Sequence, residues 1–248
     1  MSEEQKFPSE VIDLPSEGRV YPSDSPLSKG KLEIKYMTAR EEDILTSQNL
    51  IKKGLVIDKL LDSLILTKGV SIDDLVLGDK NAVMVAARIL AYGPTYSCEI
   101  THPKTGETVE ATFNLADCPF KKAPETVTTN SFEMELPVSK TKITFKLLTG
   151  KEEKLIDREI KQMRKISGDI SHELTTRLKN TITSVNDNSE TKFIRDFVDN
   201  MLSRDSLYFR GEVARLTPDI EMKQEIEIGG DMVEVVIPLT ANFFWPTS

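Results

Sequence analysis

The sequence predicts an α+β fold, in which helices flank small antiparallel hairpins and an extended arm precedes them. Two stretches, 38–94 and 151–217, carry apolar residues every three to four positions, a period that is typical of amphipathic helices. Two others, 95–150 and 218–248, carry them at alternate positions, as half-buried strands do. Because helical and strand stretches are segregated along the chain, the pattern argues against a doubly wound parallel sheet.

The first region, residues 1–37, is predicted to be an extended arm with little regular structure of its own. Four prolines occur at positions 8, 15, 22 and 26, and proline lacks the N–H that helices and sheet ladders need. Scattered apolar side chains, among them Leu14, Tyr21 and Leu27, favour an arm that lies across another surface. We expect the arm to become ordered on assembly, so these three residues are candidate contacts with a partner.

Region 38–94 is predicted to hold three helices. Thr38 and Glu41 form a capping box at the start of the first helix, which we expect to end before Gly54. Asp79 is predicted to cap the third helix, and this helix is predicted to end at the Gly-Pro pair that begins at Gly93.

Region 95–150 predicts two hairpins joined by a loop over 118–130. Region 151–217 is helical again, and its most strongly apolar helix, over 190–203, is predicted to be core. A shorter helix follows around 207–213.

The last region, 218–248, predicts a third hairpin with a Gly-Gly turn, followed by an aromatic tail. The tail contains Phe243, Phe244 and Trp245. In an extended segment the first and third aromatic rings face one side and the second faces the other. One side is therefore predicted to pack on the protein itself and the other to anchor a neighbouring subunit, since aromatic side chains are common interface anchors. Simple core packing is nearly as good an interpretation.

Composition and charge argue against several functional classes, among them nucleic-acid-binding, membrane-spanning and secreted proteins. The 248 residues carry 32 basic and 40 acidic side chains and a net charge of −8, which argues against a nucleic-acid partner. The longest apolar run has six residues, where a membrane span needs about 20. The acidic N-terminus does not resemble a secretory signal. Two cysteines in the chain fit a reducing cytoplasm better than a disulfide framework.

The sequence contains few motifs or residues that could support catalysis or metal binding. It contains no nucleotide-binding loop, no nucleophile elbow and no His-Glu-x-x-His metal helix. The weak metal candidates are Cys98, His102 and Cys118, because Cys-x3-His on a hairpin resembles part of a zinc knuckle. Structural zinc sites need four ligands, so we expect neither a metal nor a cofactor, and we predict that the protein is not an enzyme.

A basic stripe on the helix after residue 150 is a further candidate contact. Lys154, Arg158 and Lys161 follow a 4-3 spacing that aligns them along one helix face. The stripe is either an ordinary solvated face, which is the commoner case, or a docking edge for an acidic partner.

Five ordered segments together resemble one protein family. They are 14–22 (LPSEGRVYP), 35–46, 175–186, 194–200 and 242–246 (NFFWP). The set is similar to the baseplate hub, or hub-assembly, family of T-even-like bacteriophages with contractile tails. The resemblance covers about residues 14–246. Family members often carry Cys-x-x-Cys pairs in two hairpins, and this chain lacks those pairs.

The resemblance implies a structural protein of the virion tail baseplate, assembled in the bacterial cytoplasm. Its expected partners are other baseplate or tail proteins and possibly copies of itself, joined through the arm and the C-terminal tail, with no nucleic acid and no membrane span. The alternatives are a transient hub-assembly chaperone that is absent from the virion and a zinc-stabilised nucleic-acid-binding protein. An enzyme with an unrecognised carboxylate site is a further alternative.

Overall fold

The computed structural model describes residues 8–102, 105–167, 172–239 and 241–245. These residues form eight α-helices: α1 Ala39–Thr46, α2 Gln48–Lys53, α3 Val56–Leu64, α4 Leu77–Tyr92, α5 Gly150–Ser167, α6 Glu173–Thr181, α7 Thr191–Asp199 and α8 Ser203–Leu216. They also form eleven strands: β1 Ser9–Asp13, β2 Lys31–Lys35, β3 Thr95–Thr101, β4 Thr108–Asn114, β5 Phe120–Lys121, β6 Phe132–Glu135, β7 Lys142–Phe145, β8 Ile182–Val185, β9 Asp219–Ile220, β10 Lys223–Ile228 and β11 Asp231–Val236.

The strands form small antiparallel sheets. Strand β1 pairs with β2, β3 with β4, and β10 with β11, while β5 pairs with the distant β9. The largest sheet in the described part of the chain has three strands in the order β6-β7-β8. Helices and small antiparallel sheets together confirm the predicted α+β class. The division into five regions stays a prediction.

The N-terminal segment is folded, so the expectation of an extended arm is wrong for residues 9–35. Strand β1 pairs with β2 along its whole length, and the chain between them turns back on itself through a 3-10 helix, Pro26–Lys29. A Cβ atom on Gly18 would lie 2.3 Å from the carbonyl oxygen of Ser28, so only glycine fits this crossing. The four prolines lie outside both strands, where they remove no ladder donor.

The predicted first helix is two helices. The helix is interrupted at Ser47, which lies between α1 and α2, and α2 is ended by Gly54 in the left-handed conformation. The capping box is confirmed, since the backbone N–H of Thr38 donates to the Glu41 carboxylate at 2.9 Å. The prediction that Asp79 caps the third predicted helix is wrong. Helix α4 begins two residues earlier, and Asp79 lies fully buried in its first turn.

The middle of the chain departs from the sequence prediction in two places. The predicted loop over 118–130 contains strand β5, which is held by its pairing with β9. The helix predicted over 190–203 is shorter, because α7 ends at Asp199. It buries Ile194 and Val198 but leaves Phe193 exposed, so the expectation that this helix is core throughout is wrong.

Two clusters of buried apolar side chains form the core. The first joins the N-terminal segment, α3, α4, the β3–β4 and β10–β11 hairpins and the C-terminal phenylalanines. The second joins the β6-β7-β8 sheet to α6, α7 and α8. Tyr21 packs against both clusters. Lys154 on α5 also connects distant segments, since its ammonium group pairs with Asp58 on α3 at 3.2 Å and with Asp73 at 2.5 Å.

Candidate interaction sites

A buried carboxylate on α4 holds the N-terminal segment. Asp79 accepts hydrogen bonds from the backbone N–H of Ser16 at 2.9 Å, from the Ser16 hydroxyl at 2.6 Å and from the Tyr21 hydroxyl at 2.6 Å. The Tyr21 oxygen in turn accepts from the N–H of Val76 at 2.9 Å. Burial raises the pKa of Asp79, although the three donors oppose the rise. Burial and the neighbouring Asp79 carboxylate raise the pKa of Tyr21.

The candidate contact residues of the N-terminal segment lie mostly inside the protein. Leu14 and Leu27 are buried in the first core cluster, and Tyr21 is half-buried between the two clusters. In this structure the two leucines therefore offer no surface to a partner, which corrects the expectation drawn from the proline spacing. Among the described residues of this segment, the exposed large apolar side chain is Val11 on β1.

The aromatic tail is also folded against the protein. Residues Ala241–Phe244 form a 3-10 helix and not an extended strand, so Phe243 and Phe244 are both buried while Trp245 is half-buried. The predicted division of the rings between two sides is corrected accordingly. The ring of Phe243 packs edge-on against Tyr96, with centroids 5.0 Å apart.

A buried arginine on α4 fixes the start of this tail. The Arg88 guanidinium donates to the carbonyl oxygens of Phe243 at 2.8 Å, Gly93 at 3.0 Å and Thr95 at 3.3 Å. Helix α4 thus holds the N-terminal segment through Asp79 and the C-terminal segment through Arg88. The sequence reasoning missed both roles. For Asp79 the available signal was a charged residue one turn before Val83 on the apolar face of the helix, because such a charge needs partners when it is buried. Arg88 lies on the opposite side of the helix, where the sequence pattern gave no such signal.

The three residues of the basic stripe on α5 differ in their contacts. Lys154 forms ion pairs within the protein and is only partly exposed, whereas Arg158 and Lys161 are exposed. The two acidic neighbours of Lys154 raise its pKa, although burial opposes the rise. A docking role for the stripe stays a prediction, and the two exposed residues are the ones that fit it.

The metal candidates take ordinary structural positions. The imidazole Nδ1 of His102 accepts from the N–H of Thr105 at 3.0 Å, which places His102 at the turn between β3 and β4. Cys98 lies on β3 and Cys118 lies beyond β4, where the Gln224 amide approaches its sulfur at 3.7 Å. Burial raises the pKa of both thiols. In the described residues no group of three or more His, Cys, Asp or Glu could hold a metal ion.

One pocket lies at the boundary between the two core clusters, and another lies beside the second cluster. One, of about 730 Å³, opens beside Tyr21 and Leu27 and is bordered by Asp73 and Lys151. The other, of about 260 Å³, is mainly apolar and lies between α6 and α8, with Leu174 and Ala214 in its walls. Neither was predicted from the sequence, because each is formed by segments distant in the chain.

The comparisons with known proteins identify the family. No helix in the described part of the chain has the length and apolar character that crossing a membrane requires. Neither the curated proteins nor the solved structures gave a match. The family described as T4 bacteriophage base plate protein matches residues 11–245, which is nearly the whole chain and includes both segments held by α4. The chain therefore belongs to the T4 bacteriophage base plate protein family.

Proposed function

We propose that the protein is a non-enzymatic structural component of the baseplate hub in a contractile phage tail, where it joins neighbouring baseplate subunits. Membership of a baseplate family supports a structural role with baseplate or tail proteins as partners. The hub assignment rests on the five sequence segments that resemble the hub family. The virion tail is the expected location, after assembly in the host cytoplasm.

The observation that carries a structural role is the fixing of the N-terminal and the C-terminal segments to one helix. Asp79 binds the N-terminal segment and Arg88 binds the C-terminal segment, so these two segments belong to the same packed unit. Buried, hydrogen-bonded charged groups favour a single arrangement of the segments that they join. A subunit whose segments are fixed relative to one another can hold its neighbours at defined positions.

The joining role then requires contacts that remain accessible on this packed unit. On the N-terminal segment the exposed candidate is Val11, and at the other end it is the half-buried Trp245. Arg158 and Lys161 add a charged candidate on α5. We propose these four side chains as contacts with neighbouring baseplate proteins. They replace the leucines and phenylalanines of the sequence-based expectation, which are buried in the core.

Two measurements on purified phage particles test the function. Quantitative mass spectrometry is expected to find the chain at a fixed whole-number ratio to known baseplate proteins. Cross-linking mass spectrometry is expected to connect it to proteins of the central hub. Absence from mature particles, with presence in assembly intermediates, would replace this proposal with a transient assembly chaperone. Cross-links only to peripheral baseplate proteins would refute the hub position.

A further inference from the structure

Helix α8 presents an exposed face that combines apolar and basic side chains. Its buried face points into the second core cluster through Phe209 and Leu216. The opposite face follows the three-to-four-residue spacing of one helical side. It consists of Arg204, Leu207, Tyr208, Gly211, Ala214 and Arg215, all exposed. Leu207 is 64% exposed and Tyr208 is 48% exposed, so two large apolar side chains stand in water at the centre of this α8 face.

The charge around the α8 face is positive. Arg204 and Arg215 stand at its two ends, and Arg210 is exposed at its border. Arg215 pairs with Glu212 at 2.8 Å, whereas neither Arg204 nor Arg210 forms an ion pair with another described residue. The apolar pocket between α6 and α8 adjoins this face, because Ala214 belongs to both.

The outer face of the C-terminal hairpin has the complementary composition. Its inner face packs on the first core cluster through Ile228 and Val235. Its outer face presents Lys223, Glu225, Glu227, Met232, Glu234 and Val236, all exposed. Met232 is 65% exposed and Val236 is 61% exposed, so this hairpin face also has two large apolar side chains in water.

Like charges lie directly opposite each other on this hairpin face. Glu225 on β10 is the register partner of Glu234 on β11, an arrangement that is unfavourable in an isolated hairpin. Lys223 pairs with Glu234 at 3.1 Å. No described residue forms an ion pair with Glu225 or Glu227, so their negative charge remains beside Met232. A cationic partner with an apolar centre would relieve the repulsion and cover the apolar side chains at once.

We propose that the α8 face of one copy of this chain docks on the hairpin face of a second copy. Each face carries two large exposed apolar side chains, and the charges around them are opposite, so apolar burial and electrostatic attraction favour the same contact. The two faces are different surfaces of the same chain, and we place them in a head-to-tail contact, in which each copy offers one face to the next. This inference goes beyond the proposed function and does not depend on it.

The test is sedimentation equilibrium of the purified full-length chain and of two single variants. Leu207→Asp disables the α8 face, and Met232→Asp disables the hairpin face. The wild-type chain is expected to associate reversibly as its concentration rises, and each variant to weaken the dissociation constant at least about tenfold, or 1.4 kcal/mol. Leu155→Asp is the matched control, because Leu155 is exposed on α5, outside both faces, and this substitution is expected to change nothing.

Mixing the two variants separates head-to-tail docking from other arrangements. Leu207→Asp retains an intact hairpin face and Met232→Asp retains an intact α8 face, so an equimolar mixture is expected to form dimers that neither variant forms alone. Added salt is expected to weaken the contact, because exposed charges are screened. Far-UV circular dichroism of each variant confirms that it is folded.

Three results would overturn the proposal. The first is a wild-type chain that stays monomeric up to about 100 μM, a weak-affinity limit, even if the same chain enters phage baseplates normally. The second is loss of association in only one of the two variants, which indicates a symmetric contact. The third is a mixture of folded variants that stays monomeric.

Discussion

Replacement of Tyr21 by phenylalanine tests how the N-terminal segment is joined to the rest of the protein. The substitution removes one oxygen atom and keeps the ring that packs against both core clusters. That oxygen donates to the Asp79 carboxylate at 2.6 Å and accepts from the N–H of Val76 at 2.9 Å. Two hydrogen bonds are therefore lost without a change in apolar packing.

The expected loss follows from what remains after the oxygen is removed. Val76 is buried, so its N–H is left without an acceptor, at a cost of about 1–3 kcal/mol. Asp79 keeps its two hydrogen bonds from Ser16. The loss of the third donor is therefore expected to cost about 1.5 kcal/mol, the lower end of the range for hydrogen bonds to charged groups. Tyr21→Phe is expected to lower the free energy of unfolding by about 2.5–4.5 kcal/mol.

Urea unfolding followed by circular dichroism measures this loss, with Tyr36→Phe as the control. The Tyr36 hydroxyl donates to Glu10 at 3.3 Å in a solvent-exposed position, and its removal is expected to change stability by less than about 0.5 kcal/mol. A Tyr21→Phe variant that is as stable as this control would refute the account of the junction between the clusters.

Two further predictions concern packing and charge. Gly78→Ala is expected to destabilise the protein by about 1–3 kcal/mol or more, because the added Cβ would lie 1.7 Å from the carbonyl oxygen of Pro218. Gly211→Ala on the open side of α8 has nothing within 4 Å and is expected to stabilise it by about 0.5–1 kcal/mol; equal effects in thermal melts would contradict the predicted clash. Burial raises the pKa of Asp58, but Lys80 and Lys154 outweigh it and hold that pKa below its usual 3.8. The ionised Asp58 therefore stabilises the folded protein above the pKa of Asp58 in the unfolded chain, and this stabilisation is lost as the pH falls through its lowered pKa in the folded protein. In urea unfolding, the difference in free energy of unfolding between the wild type and Asp58→Asn is expected to shrink from about pH 5 to pH 3. An advantage independent of pH would contradict this.

The sequence determined the elements whose signals are local. The capping box at Thr38 and Glu41, the left-handed Gly54 and the hairpin turns depend on residues a few positions apart. Apolar periodicity likewise separated most helices from most strands, which was enough to give the α+β class. The five resembling segments also indicated a baseplate protein, in agreement with the family that matches.

Only the tertiary structure decided which apolar residues are core and which are surface. Proline spacing predicted an extended arm, but β1 finds its partner in β2 about twenty residues further along the chain, and Leu14 and Leu27 are buried as a result. Asp79 and Arg88 acquire their roles from segments that are distant in sequence. Periodicity gives the direction of a side chain relative to its own helix or strand, whereas burial depends on what lies opposite, and that is fixed when distant segments pack together.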